Sequence, residues 1–202
     1  MRLPDTSNLT EYAAEPLVEM PLILGYHSVS RARTDGLAVR LEDFDWQMHW
    51  LAARGYRAAT LAQWARGEIH PKERTVWINF DDGYADNYTA AFPILQRYGF
   101  TATVFLVTGS VGREEVFWWD RSKLAAGVDR RAYFPLNWEQ IAQMSAAGFE
   151  FGVHTRTHPA ALTALPPEQR WEEIAGSRSD LSSRLGLAAA SFCYPRGDLD
   201  PG

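Results

Sequence analysis

The sequence predicts an α/β protein built on a mostly parallel sheet. Two observations carry that expectation. Short apolar runs recur along the chain, and segments of helical periodicity fill the gaps between them. Strand and helix in alternation mean βαβ units. Functional groups should then gather at the carboxyl ends of the strands. The alternation alone leaves two architectures open, a doubly wound open sheet and most of a (β/α) barrel.

Five strands are expected, at residues 21–26, 75–80, 101–107, 149–153 and 190–194. The runs are short, and several are rich in β-branched or aromatic residues. Four helices are expected between them. The first covers 41–54, where Phe44, Met48 and Leu51 recur at helical spacing and Gly55 stops the run. The second covers 87–98 and ends at Gly99. The third is capped by Asn137, carries Glu139 and Gln140 in its first turn, and ends before Gly148. The last is opened by Pro166 and Pro167 and closed by Gly186. Residues 1–20 are polar and aperiodic and read as an N-terminal arm, which leaves 21–202 as one domain.

Composition narrows the function. Hydrophobic residues at 46% and charged residues at 22% exclude disorder as the main character. Lys and Arg number 20 against 25 Asp and Glu, and the net charge of -5 argues against a nucleic-acid partner or a polybasic membrane anchor. The single cysteine, Cys193, excludes an intrachain disulfide and a multi-cysteine metal site. No apolar run reaches the roughly 18–20 residues needed to span a bilayer, so no membrane span is expected. The N-terminus has no apolar signal-peptide core. A cytoplasmic protein fits, as does an extracytoplasmic one whose leader has been removed. The oligomeric state is left open.

The polar residues at the strand ends form a set with chemical meaning. His27 and Ser28 follow the first strand, Asp81, Asp82 and Gly83 the second, and Thr108, Gly109 and Ser110 the third. His154 and His158 follow the fourth, and Pro195, Arg196, Gly197 and Asp198 the fifth. Two imidazoles and one carboxylate hold a divalent metal and leave positions open for water and substrate. An adjacent second carboxylate can serve as a base. Asp81 and Asp82 would face opposite ways in a strand, and a turn at Gly83 lets both approach one centre. Plainer readings exist for each piece. Asp-Asp-Gly can be a helix cap and turn, and two histidines four apart can decorate a helix surface. His27 divides between a core hydrogen bond and the site lining. His49 and His70 read as surface residues, and Cys193 as a small buried hydrophobe. Trp118 and Trp119 read as core or as a sugar-stacking platform.

These residues resemble a known family. Asn79-Phe80-Asp81-Asp82-Gly83 resembles the T-F-D-D-G motif of the polysaccharide deacetylases, carbohydrate esterase family four, with its NodB-homology domain. His154-Thr155-Arg156-Thr157-His158-Pro159 resembles the H-[ST]-x-x-H-P motif, and Phe192-Cys193-Tyr194-Pro195-Arg196-Gly197 the looser R-x-P-x-G motif. Leu24-Gly25-Tyr26-His27-Ser28, and the stretch from Gln47-Met48 to Gly55-Tyr56-Arg57, are similar to the bacterial poly-N-acetylglucosamine deacetylase branch. The resemblance runs from about residue 21 to the end of the chain.

It implies a distorted (β/α) barrel, here lacking its last strands, and hydrolysis of N-acetyl groups from an N-acetylglucosamine-containing polysaccharide or oligosaccharide. It implies Asp81 as catalytic base and Asp82, His154 and His158 as ligands of a divalent metal. Zinc is the first choice, with cobalt, nickel or manganese also accepted. It implies that the backbone N–H of Arg196 holds the oxyanion, since Pro195 has no N–H to offer. Tyr194, Arg196 and His27 are the expected substrate contacts. The family's motif-three arginine falls on Cys193, and its late tryptophan and Leu-x-x-His motifs have no counterpart. No histidine follows His158 to protonate the departing amine. The 202-residue chain is therefore expected to show very low deacetylase activity, with His27 the first substitute acid. The alternative is a non-catalytic carbohydrate-binding or assembly subunit that keeps the metal site.

Overall fold

The computed structural model describes residues 22–69, 74–124, 127–186 and 191–198. The expected arm at 1–20, Pro21, His70, Ala190 and the C-terminal Asp200, Pro201 and Gly202 lie outside the described residues.

Strand β1 (Leu22–Tyr26) opens the fold. Two short strands follow, β2 (Ser28–Val29) and β3 (Ala38–Val39), paired only with each other. Helix α1 (Leu41–Ala53), strand β4 (Arg57–Ala59), helix α2 (Leu61–Ala65) and strand β5 (Thr75–Phe80) come next. Helix α3 (Phe92–Arg97) leads to β6 (Thr103–Leu106), and α4 (Trp138–Ala146) to β7 (Glu150–Val153). Helices α5 (Pro167–Trp171) and α6 (Ser177–Leu185) close the described chain.

The main sheet runs β1-β5-β6-β7, and every pairing in it is parallel. β1 pairs Val76–Phe80 along one edge of β5. β4 meets the start of β5 on the other edge, and β6 meets its end. β5 is buried along almost its whole length, as a central strand covered on both faces must be. Phe44, Met48 and Leu51 of α1 are all buried and share one core with Ile78, Phe80, Val104 and Leu106. The Asn137 cap forms: its carboxamide oxygen accepts from the Gln140 N–H at 2.9 Å, and Gln140 Oε1 accepts from the Asn137 N–H at 3.0 Å. Gly186 ends α6 in the left-handed conformation, with φ 65°.

The structure departs from expectation in places. The fifth strand shrinks to one parallel bridge between Val153 and Phe192. Two hydrogen bonds hold it, Val153 N–H to the Ser191 carbonyl and Cys193 N–H to the Val153 carbonyl. Pro195 has no N–H and opens a tight turn at Pro195–Gly197, so the ladder stops there. The second and fourth helices each contain a π-helical turn, Asn87–Ala91 before α3 and Glu172–Gly176 between α5 and α6. β2, β3, β4 and α2 are too short to show a period. Among the described residues no helix is long and apolar enough to cross a membrane.

Two glycines separate space from backbone freedom. In β7, a Cβ on Gly152 would lie 2.7 Å from the Phe105 ring and 2.5 Å from Ser191 Oγ. In β1, a Cβ on Gly25 would meet nothing within 4 Å. Gly152→Ala should lower the urea midpoint, by about 1–3 kcal/mol of stability. Gly25→Ala should leave the midpoint unchanged or raise it. Equal effects of the two changes would contradict this packing.

Candidate active site

The site begins where β5 ends. The Asp81 N–H donates to the Tyr26 carbonyl at 2.9 Å and ties this end to β1. The chain then turns through two left-handed residues, Asp82 (φ 70°) and Gly83 (φ 78°). Glycine is needed at 83 for space as well as angle, because a Cβ there would lie 2.6 Å from Leu106 Cδ2. The turn breaks the strand alternation, and both carboxylates line one cavity.

The end of β7 supplies the histidines. The His154 N–H donates to the Leu106 carbonyl at 2.9 Å. Thr155 (φ 66°) and His158 (φ 55°) are left-handed, and Thr155 Oγ1 accepts from the His158 N–H at 3.0 Å. The pair therefore sits in a tight loop and not on a helix surface. Among the described residues, the non-glycine residues with left-handed φ are Asp82, Thr155, His158 and Arg196. Each such residue costs roughly 1–2 kcal/mol. All four lie in the loops around this cavity, where strain is kept for function.

The cavity has a volume of about 790 Å³. Asp81, Asp82, His154, His158, His27, Tyr194 and Arg196 all line it, so the structure gathers every residue expected there. Asp82 Oδ1 lies 3.7 Å from His154 Nε2 and 3.7 Å from His158 Nε2. All three side chains are buried, and Asp82 Oδ1 has no hydrogen-bond partner among the described residues. His154 Nδ1 lies 2.8 Å from the Cys193 carbonyl, which can only accept. Nδ1 therefore carries the proton, and a neutral His154 ring turns a bare Nε2 lone pair toward Asp82. Burial pushes both imidazoles toward the neutral form, His158 down to about 4. Burial and the neighbouring Asp81 push the Asp82 carboxyl up to about 8. A carboxyl oxygen beside two imidazoles that burial holds neutral fits a divalent cation, which would displace the proton that burial favours on Asp82.

A second cluster, Asp81, His154 and Cys193, also brings ligand atoms within 4.8 Å of one another. It fits a metal less well. His154 Nδ1 is already bonded to the Cys193 carbonyl, and its free Nε2 faces Asp82. A metal-binding cysteine must be a thiolate, and burial with Asp81 pushes the Cys193 thiol up to about 12. Cys193 is half-buried and lines the cavity, so it is not the enclosed hydrophobe expected. Its Sγ lies 3.8 Å from Asp81 Oδ2 as a weak donor.

The other expected residues divide. His27 is half-buried, and burial lowers its pKa while Asp81 opposes the shift. Its carbonyl accepts from Asn87 Nδ2 at 2.8 Å. Arg196 and Tyr194 are exposed in the closing turn. His49 is exposed on α1, as expected. Trp119 stacks on Phe117 at 4.5 Å, and its ring lies 4.3 Å from that of His158.

One part of the site is absent from the motif reading. Lys123 lines the cavity, and its ammonium donates to Asp120 Oδ1 at 2.7 Å. Asp120 is fully buried and also accepts from the Tyr84 hydroxyl at 2.6 Å. Arg33 is buried nearby, bonded twice to Asp35 at 3.0 Å and held between the Tyr84 and Tyr133 rings at 4.3 Å each. The three-residue spacing of Asp120 and Lys123 was the only local signal.

Known proteins share this arrangement's sequence and fold. The polysaccharide deacetylase family model matches residues 68–201. YxkH of Bacillus subtilis strain 168, provisionally named a polysaccharide deacetylase, is 30% identical over 186 residues, covering 91% of this chain and 58% of that protein. The poly-beta-1,6-N-acetyl-D-glucosamine N-deacetylase of Staphylococcus aureus strain N315 is 33% identical over 109 residues, covering 46% of this chain and 38% of the relative. The chain thus spans less than two thirds of the length of these relatives. Among solved structures, the deacetylase PplD of Streptococcus pyogenes superposes with a TM-score of 0.73 at 25% identity, covering 90% of this chain and 76% of PplD. IcaB of Ammonifex degensii superposes with a TM-score of 0.72 at 28% identity, covering 89% of this chain and 76% of IcaB. The parallel α/β sheet is the fold of these proteins, and the chain belongs to the polysaccharide deacetylase family.

Proposed function

We propose that the chain hydrolyses N-acetyl groups of an N-acetylglucosamine-containing polysaccharide or oligosaccharide at a divalent metal held by Asp82, His154 and His158. One observation carries the reading: Asp82 Oδ1 faces two imidazole nitrogens at 3.7 Å each, and it is buried and without a hydrogen bond among the described residues. Zinc suits two nitrogens and one carboxylate oxygen, and cobalt, nickel and manganese accept the same donors. The ion, when bound, supplies Lewis-acid polarisation and a more acidic water.

The chain's own residues do the rest. The Cys193 carbonyl fixes the tautomer of His154 and aims Nε2 at the ligand set. Asp81 lies beside that set, half-buried at the cavity wall, and takes the proton of the attacking water. Its only side-chain donor among the described residues is the weak Cys193 thiol. The left-handed turn at Arg196 offers a backbone N–H to the charge that develops on the acyl oxygen. Tyr194 and His27 contact the sugar. The departing amine needs a proton, and His27 is the third histidine in the cavity. Relatives named deacetylases support catalysis over a purely carbohydrate-binding role. The name of the Staphylococcus aureus relative makes a β-1,6-linked N-acetylglucosamine oligomer the first substrate to try.

Two measurements test this reading. His154→Ala or His158→Ala should lose most of the bound zinc, read by elemental analysis after dialysis, and wild-type zinc content in either would refute the ligand set. Asp81→Asn should keep its zinc but release acetate about 100- to 10,000-fold more slowly than wild type. A rate near wild type would make Asp81 a turn residue and not the base.

A further inference from the structure

The loop that joins His154 to His158 is held from two sides. On one side its carbonyls are used. The Thr108 N–H donates to the Thr155 carbonyl at 3.3 Å, and the Gly109 N–H to the Arg156 carbonyl at 2.8 Å. The approach is so close that a Cβ on Gly109 would lie 2.6 Å from the Arg156 carbonyl oxygen. On the other side two N–H groups of the loop meet one carboxylate. Glu173 Oε2 accepts from the Arg156 N–H at 2.9 Å and from the Thr157 N–H at 2.8 Å. Glu173 Oε1 accepts from the Thr157 hydroxyl at 2.5 Å.

Glu173 does not line the cavity. It reaches the loop from the π-helical turn Glu172–Gly176, and such turns are frequent at functional sites. Asp180 on α6 reaches the same loop, accepting from Arg156 Nε at 2.9 Å, from Arg156 Nη2 at 3.0 Å and from the Thr108 hydroxyl at 3.0 Å. Asp180 thus holds a side chain of the loop, whereas Glu173 holds its backbone. The backbone is what aims the imidazoles, because Thr155 and His158 both adopt left-handed angles that residues with a Cβ disfavour. Bonds from N–H groups to a carboxylate are roughly twice as strong as neutral ones. On two consecutive residues between the histidines, they can keep this conformation without help from an ion.

We propose that Glu173 is a positioning residue for the metal centre. It clamps the histidine loop in its binding shape, so that a divalent ion meets a preformed pair of imidazoles and binding needs no reordering of the loop. This rests on the metal-dependent reading, and it adds to that reading a residue outside the ligand set and outside the cavity.

Two readouts on the full chain test the proposal. One is amide hydrogen exchange at Arg156 and Thr157 in the zinc-free chain, followed by NMR. The other is the zinc dissociation constant, measured by competition with a chelating dye. In Glu173→Ala both amides should exchange at least about tenfold faster. Zinc should bind that variant about 10- to 100-fold more weakly. Glu173→Gln should restore most of both, because a carboxamide oxygen can still accept from the two N–H groups while its NH2 donates to the Thr157 hydroxyl. Glu172→Ala removes an acid of the same turn that pairs with the Arg156 side chain, and it should change neither readout by more than about twofold. Thr157→Ala removes one of the three bonds without altering the helix. It should weaken zinc severalfold, and it decides the matter if Glu173→Ala does not fold. Unchanged exchange or unchanged zinc affinity in Glu173→Ala, or an equal loss in Glu172→Ala, overturns the assignment. A wild-type chain whose amide protection depends on Glu173 but which binds no zinc counts against the metal-dependent reading and leaves the clamp standing.

Discussion

A buried carboxyl oxygen facing two imidazole nitrogens at 3.7 Å each, with no hydrogen bond to it among the described residues, is the constraint around which this protein is arranged. Such a contact is unfavourable in a bare interior, where unsatisfied polar atoms cost about 1–3 kcal/mol each. It persists because several backbone interactions hold its parts. The Asp81 N–H bonds to β1, the His154 N–H bonds to β6, and the Cys193 carbonyl holds the outer nitrogen of His154. Left-handed backbone at Asp82, Thr155 and His158 aims the side chains inward. A parallel sheet suits this purpose, because it brings all these strand ends to one side.

A second layer stiffens the first. Arg33, Asp35, Asp120 and Lys123 carry two positive and two negative charges in a region that is largely buried. Burying paired ions rarely adds net stability, so a positional role explains them better. The connection to the site is direct. Asp120 accepts from the Tyr84 hydroxyl, that hydroxyl accepts from the Trp119 indole, and the Trp119 ring lies against His158. Lys123 brings one ammonium of the network to the cavity wall, the only cationic lysine there among the described residues.

Much of this was legible in the sequence, for physical reasons. The apolar runs that became β5, β6 and β7 are buried strands, and β5 falls on residues 75–80 as read, whereas β1 forms where expected but leaves Leu22 and Ile23 exposed. Asn137 capped its helix because its partner Gln140 stands at the required spacing. The strand-end rule then led from those runs to Asp81, Asp82, His154 and His158 without any contact map. Other features were hidden. The π-helical turns in the second and fourth helices leave no local pattern, and a single bridge at Phe192 has the same residues as a longer strand. Arg33 could not be linked to Asp120 from sequence, since only the folded chain brings them together. Trp118 and Trp119 are chemically identical neighbours, and their separation into an exposed ring and a wedged one depends on the turn that carries them.

The most direct test of the central claim is zinc K-edge X-ray absorption on the zinc-loaded wild-type chain. Coordination by Asp82, His154 and His158 predicts a nitrogen and oxygen shell at about 2.0–2.1 Å, with the multiple-scattering signature of two imidazoles and no sulfur. A sulfur shell at about 2.3 Å would place the ion on Cys193 instead, and a spectrum without imidazole scattering would contradict the account altogether.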